Sequence, residues 1–252
     1  MIRKIYEWFL HPIARAVYKR YPGLYWWRRG QSYYNNRVLL PWERRAREDI
    51  ARKVLSWHPS RVLEYGVGNG QLLKRVSEGD PALECHGVDI SATQMKKASL
   101  LAPNARLSVS NITKLEYPDD YFDVVYGISV LMYIPQEKRE QAFKELYRVC
   151  RGYLVAYELV PKYYDDAARK RYCEATDFRY DYDYEESLKQ AGFEIVEVIK
   201  DPHSWSDYVI KEGALPFGLI IARKHKDKGS NGGGISAVVV ERLSDRNDLL
   251  CL

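Results

Sequence analysis

Cysteine is scarce. The 252 residues hold four, Cys85, Cys150, Cys173 and Cys251. None forms a CxxC pair or a metal-ligand spacing, which argues against a zinc ribbon or a redox dithiol and calls for no metal. The expectation is reduced thiols in a cytoplasmic protein. Cys251 stands second from the last residue, whereas prenylation needs a cysteine fourth from the end. Long apolar runs are missing too: none reaches the roughly 18 residues that a membrane-spanning helix needs. The opening ten residues are basic and aromatic, without an apolar core or small-residue cleavage site, so no signal peptide is expected. No internal repeat is visible.

What is present suffices for one full α/β domain with a small appendage, since 46% of the residues are hydrophobic. The net charge of +5 is unevenly spread. Residues 1–60 carry thirteen Lys/Arg against four Asp/Glu, a net +9, and the remainder is net −4. The basic zone is either a solvated helical surface or a contact for an anionic partner: substrate, nucleic acid or membrane.

Three zones follow. Residues 1–58 are rich in Arg, Tyr and Trp; Ile2, Ile5, Tyr6 and Phe9 recur at helical spacing, a second helix is expected from Pro12, and a third over Trp42 to Trp57. Residues 59–225 alternate strand and helix signals. Apolar runs at Arg61–Tyr65, Leu83–Ile90, Ala105–Val109, Phe122–Ile128 and Tyr153–Leu159 are separated by helical patterns such as Gln136–Val149, which predicts a parallel sheet with right-handed crossovers. Phe193–Ile199 and Gly218–Ala222 lie too close together for an obvious intervening helix, which suits an antiparallel edge strand. Residues 226–252 begin with a polar, Gly-rich linker and end in a tail.

The strongest signal is Glu64-Tyr65-Gly66-Val67-Gly68-Asn69-Gly70. A strand ends in three alternating glycines and a helix follows, placing a ligand at the carboxyl end of the first strand. A nicotinamide dinucleotide site has G-x-G-x-x-G instead, and a pyrophosphate there would face the Glu64 carboxylate. An acid ahead of G-x-G-x-G suits a ligand with cationic groups. Gly87-Val88-Asp89-Ile90-Ser91 then places a carboxylate where it can accept ribose hydroxyls.

In these motifs the chain resembles the class I S-adenosylmethionine-dependent methyltransferases. Ser91 to Ala98 resembles the helix that follows the family's second strand, and Phe122-Asp123-Val124-Val125 resembles its fourth strand. Gln190-Ala191-Gly192-Phe193 resembles the turn before its sixth. The resemblance implies a Rossmann-like, mostly parallel seven-stranded sheet with helices on both faces and a helical N-terminal extension. It implies S-adenosylmethionine as cofactor, held by Glu64, Gly66, Gly68, Gly70, Asp89, Ile90, Met95, Asn111, Ile112 and Ile128. Asn111 departs from the family's aspartate, but its side-chain oxygen can accept the adenine amino group. The chain also lacks the family's Pro-Gly-Gly turn, having only Arg151-Gly152.

Methyl transfer needs a general base only when the acceptor must lose a proton. Tyr133, Glu158 and His203 are the candidates near strand ends; each also has a structural reading, as pocket wall, ion-pair partner or turn. Asp123 is expected to be structural. Substrate contacts are expected from Trp26, Trp27, Tyr33 and Tyr34, and from Tyr163 and Tyr164 within a Tyr-rich segment reaching Tyr184. The favoured acceptor is a small or lipid-like molecule. An RNA or protein acceptor met by Arg28, Arg29, Arg37, Arg44, Arg45 and Arg47 is an alternative, although no Asn-Pro-Pro-Tyr-like tetrapeptide follows the fourth strand. A non-catalytic cofactor-binding module is another, and peripheral membrane association through the first helix a further possibility.

Overall fold

In a computed structural model, placement is described for residues 16–17, 21, 23–26, 28, 41–160, 183–200 and 217–225. Helix α1 (Pro41–Leu55) leads into strand β1 (Arg61–Tyr65), α2 (Gln71–Gly79), β2 (Glu84–Asp89), α3 (Ala92–Leu101), β3 (Arg106–Val109) and β4 (Phe122–Ile128). A short 3₁₀ turn (Leu131–Tyr133), α4 (Gln136–Val149), β5 (Cys150–Leu159), α5 (Tyr184–Ala191), β6 (Phe193–Lys200) and β7 (Phe217–Lys224) complete the described elements.

The seven strands form one sheet in the order β3-β2-β1-β4-β5-β7-β6. β1 pairs in parallel with both β2 and β4, and β4 with β5. β7 runs antiparallel to both its neighbours. The expected antiparallel strand therefore exists, but it lies one place in from the edge, and β6 is the edge strand. β7 needs both neighbours because it is apolar from Gly218 to Ala222 and buried throughout that run. β6 alternates Glu194 and Glu197 with apolar residues, a pattern suited to an edge.

The central strands are continuous apolar runs because helices cover both faces. β4 is buried from Phe122 to Gly127. One core layer holds Phe143, Leu146, Tyr184, Leu188 and Ile220; the other holds Ile50, Val54, Leu72, Leu73 and Val76. Helix α1 supplies Ala46, Ile50, Ala51 and Val54 to that second layer. It is thus part of the sheet's packing, although the sequence groups it with the N-terminal zone. Tyr184 is buried beneath the start of α5 and so is no substrate contact. Helix caps explain where α3 and α5 begin: Ser91 Oγ accepts from the Gln94 N–H, and Asp183 Oδ1 from the Glu186 N–H at 3.1 Å.

Asp123 is structural. Its carboxylate accepts from the Ser60 and Arg61 amides at 2.9 and 3.0 Å and from Arg151, tying β4 to the entry of β1. Cys85 and Cys150 are free and buried, and burial pushes each thiol up to about 12. No helix among the described residues is long and apolar enough to cross a membrane, and no group of three or more His, Cys, Asp or Glu residues there is placed to hold a metal. The other residues named above, including Cys173, Cys251, the first helix and the Gly-rich tail, lie outside the described residues.

Candidate active site

The sheet order reverses between β1 and β4, and open α/β sheets place ligands at such a switch, beyond the carboxyl ends of the strands. A cavity of about 320 Å³ lies there. Its walls come from the glycine turn after β1, the end of β2, the turn after β3 and the segment after β4, together with Glu43 and Arg47 of α1 and Trp26.

The turn after β1 is set by backbone bonds. The Gly66 and Val67 amides both donate to the Val88 carbonyl, at 2.7 and 3.1 Å, folding the chain across the end of β2. Gly66 has φ +67°, and a Cβ there would lie 2.2 Å from the Val130 side chain. Only glycine lets these two segments meet. Asp89 then locks the turn from the other side. Its Oδ2 accepts from the Gly68 amide and its Oδ1 from the Ser91 amide, each at 2.8 Å. Each carboxylate oxygen keeps a second lone pair. Burial raises the Asp89 carboxyl, while these two amides hold it down.

Glu64 is 1% exposed, yet it lines the cavity. Its Oε2 has no hydrogen-bond partner. The Tyr126 hydroxyl stands beside the carboxylate and favours its charged form. Burial pushes Glu64 far above the usual carboxylate range; Arg47 opposes this and the Asp89 charge reinforces it. A buried carboxylate is costly unless a donor or cation meets it. The site is therefore suited to a ligand that brings positive charge to Glu64.

Arg47 was not foreseen in this role. It is buried in the cavity wall, with Nη1 donating to the Glu43 carbonyl at 2.8 Å. A guanidinium held in a pocket this way can pair with a carboxylate. No local motif announces it; only the packing of α1 against the sheet turns it inward. Arg44 and Arg45, by contrast, are exposed. The basic patch expected from the sequence thus loses Arg47 to the interior.

The other expected positions separate clearly. Gly66, Gly68, Ile90, Asn111, Ile112, Ile128 and Tyr133 line the cavity together with Glu64 and Asp89. Gly70 does not: it has φ +87°, and a Cβ there would lie 2.8 Å from the Ala98 Cα, so its glycine serves the close approach of α2 and α3. Met95 is core, buried on the inner side of α3. The Asn111 Oδ1, expected to accept an adenine amino group, instead accepts from the Thr113 amide and hydroxyl, both at 3.0 Å. The structure thus gives that oxygen a turn-forming task.

Glu158 is also displaced from its expected place. It is 0% exposed and absent from the cavity wall. Its Oε1 accepts from the Val130 and Leu131 amides at 2.8 and 2.9 Å. It braces the segment after β4 and does not reach the cavity, which speaks against the catalytic role expected of Glu158. Burial pushes its carboxyl up to about 7 against these amides. The braced segment begins at Ser129, with φ +57°, whose amide donates to the Tyr157 carbonyl at 2.8 Å. It carries Tyr133, which meets Trp26 edge-on at 4.9 Å. Of the expected substrate contacts only Trp26 falls among the described residues; Trp27, Tyr33, Tyr34, Tyr163 and Tyr164 lie outside them, as does His203.

This strand order, with a glycine turn after β1 and an acid closing β2, defines a class I methyltransferase fold. Residues 62–152 match the family model for a methyltransferase domain. The chain is 30% identical over 95 residues to a malonyl-acyl-carrier-protein O-methyltransferase of Halorhodospira halophila, covering 36% of this chain and 32% of that protein. It is 33% identical over 138 residues to a demethylmenaquinone methyltransferase of Thermus thermophilus, covering 50% and 60%. The matches thus span a third to three fifths of these relatives. Among solved structures, magnesium protoporphyrin IX methyltransferase of Synechocystis, with bound S-adenosylhomocysteine, overlays with TM-score 0.60 at 15% identity, covering 85% of this chain and all of that one.

Proposed function

We propose that the protein transfers a methyl group from S-adenosylmethionine to a small-molecule or lipid-like acceptor by in-line displacement. The observation that carries this is the buried Glu64 carboxylate in the wall of a cavity at the sheet's switch point. The relatives named above support a small or carrier-bound acceptor, since one methylates malonyl-acyl-carrier protein and the other demethylmenaquinone.

The residues fit this cofactor. Its positive charge meets Glu64, its carboxylate meets Arg47, and its ribose hydroxyls meet Asp89, whose oxygens have lone pairs to spare. Bound there, it supplies a methyl group activated by a sulfonium. The protein's part is position and electrostatics. Holding an acceptor in line at near-attack distance can contribute roughly 7–11 kcal/mol. Ser129, Val130 and Tyr133 form the wall beside the end of β4, and Trp26 lines the same cavity. Tyr133 is the candidate to take a proton from an acceptor that must lose one, because its side chain reaches the cavity.

The test is a methyl-transfer assay with labelled cofactor against a metabolite extract, with products identified by mass. Glu64→Ala and Asp89→Ala should each abolish labelling. Full activity in either variant would refute the assignment of the cofactor site.

A further inference from the structure

The resemblance implies that Asn111 accepts the adenine amino group and that Met95 helps to hold the cofactor, but the structure gives both residues other tasks. Asn111 Oδ1 accepts from the Thr113 amide and hydroxyl, both at 3.0 Å, and Met95 is packed in the core. The residue before Met95 is placed differently. Gln94 is 2% exposed, it lines the cavity, and its Oε1 has no hydrogen-bond partner. An enclosed amide oxygen without a donor is costly, and such groups are rare in folded proteins. A ligand in the cavity that brings a donor would remove that cost.

Local structure fixes where Gln94 stands. Its backbone amide donates to Ser91 Oγ at 3.4 Å, and the Ser91 amide donates to Asp89 Oδ1 at 2.8 Å. Gln94 is therefore in the first turn of α3, tied through Ser91 to the carboxylate that suits the ribose. Glu64 suits the cofactor's positive charge and Arg47 its carboxylate, which leaves the base. The base is uncharged, and it offers an exocyclic amino donor next to ring-nitrogen acceptors. A glutamine amide presents an acceptor and a donor in one plane and pairs with that edge of adenine through both. Ile90 and Ile112 line the same cavity and give a flat ring apolar surface.

We propose that Gln94 reads the adenine base in this chain, its Oε1 accepting from the 6-amino group in place of Asn111. The base is then recognised from the helix after β2 instead of from the turn after β3. This inference rests on the methyltransferase reading, since it takes S-adenosylmethionine as the ligand.

The experiment is calorimetric titration with S-adenosylhomocysteine and with its analogue that carries hydrogen in place of the 6-amino group. The full chain, Gln94→Met and Asn111→Ala are compared. The wild type should bind S-adenosylhomocysteine roughly tenfold more tightly than the analogue, the worth of one hydrogen bond to a buried acceptor. Gln94→Met keeps an unbranched stem and removes the amide, and it should bind the two ligands equally. Asn111→Ala loosens the turn that Thr113 closes; it should weaken both ligands alike and keep the preference. Urea unfolding checks that Gln94→Met is folded; if it is not, the wild type and Asn111→Ala decide the matter between them. Equal affinity of the wild type for the two ligands, a preference that survives in folded Gln94→Met, or one that disappears in Asn111→Ala overturns the proposal. Heat from neither ligand in the wild type removes the cofactor reading itself and the role of Gln94 with it, whereas heat without preference removes the role of Gln94 alone.

Discussion

Glu158→Gln isolates the cost of one buried charge. The carboxyl is fully enclosed, its Oε1 accepts two backbone amides, and its Oε2 has no partner. Burial raises its pKa from 4.5 to about 7. A raised carboxyl binds its proton more tightly folded than unfolded, so stability falls as pH rises from the unfolded value to the folded one. The full penalty above pH 7 is about 3 kcal/mol, and about 2.5 kcal/mol of it develops between roughly pH 5 and pH 8. Glutamine keeps the shape and an accepting oxygen but cannot ionise. Its new amide hydrogens sit where Oε2 lacks a partner, at a cost of about 1–3 kcal/mol that does not depend on pH. Only the difference in slope is therefore diagnostic. Urea unfolding at about pH 5 and pH 8 should show wild type losing about 2.5 kcal/mol more than the variant across that interval. A stability difference between the two proteins that is constant with pH would refute the reasoning.

Arg47→Met keeps the apolar stem of the side chain and removes the guanidinium. The loss of a charge-assisted pair of about 1.5–3 kcal/mol should weaken S-adenosylhomocysteine roughly ten- to a hundredfold in calorimetry, while adenosine, which has no carboxylate, binds as before; equal losses for both ligands would remove Arg47 from carboxylate binding. Glu64 should give up its proton when a cationic cofactor binds, because the raised carboxyl of the free site is drawn back toward ionisation. Affinity for S-adenosylmethionine should then rise with pH, and its binding heat should differ between phosphate and Tris buffers, a difference that Glu64→Gln abolishes. Gly70→Ala forces a methyl group against the Ala98 backbone at a positive φ, and should cost about 2–3 kcal/mol in urea unfolding; an unchanged midpoint would show that the two helices can separate freely.

The framework was legible because its signals are local. Strand β4 is seven consecutive residues of which six are buried, so it appears as an apolar run interrupted only by Asp123. The glycine turn is readable because Gly66 must fit against Val130 and Gly70 against Ala98, and no other residue type permits either. What escaped depends on distant packing. That β7 slots between β5 and β6 follows from burial on both sides, which a five-residue apolar run does not distinguish from an edge. Arg47 looks like its exposed neighbours Arg44 and Arg45 until α1 lies on the sheet. Gly70 and Glu64 belong to one motif, yet one serves helix packing and the other the cavity.

Glu158 shows why an acid at a strand end is ambiguous. In sequence it and Glu64 look alike, each closing an apolar strand. In the structure both are buried and each has an Oε2 without a partner. They differ in what surrounds them. Glu158 is filled by amides of its own chain, so its position serves the shape of the Ser129–Tyr133 wall. Glu64 faces a cavity, so its charge is available to something from outside. Burial raises both carboxyls, and that shift alone does not tell a brace from a binding group. The distinction comes from whether the remaining lone pairs face protein or open space: Glu64 lines the cavity, whereas Glu158 holds the Ser129–Tyr133 segment without lining it.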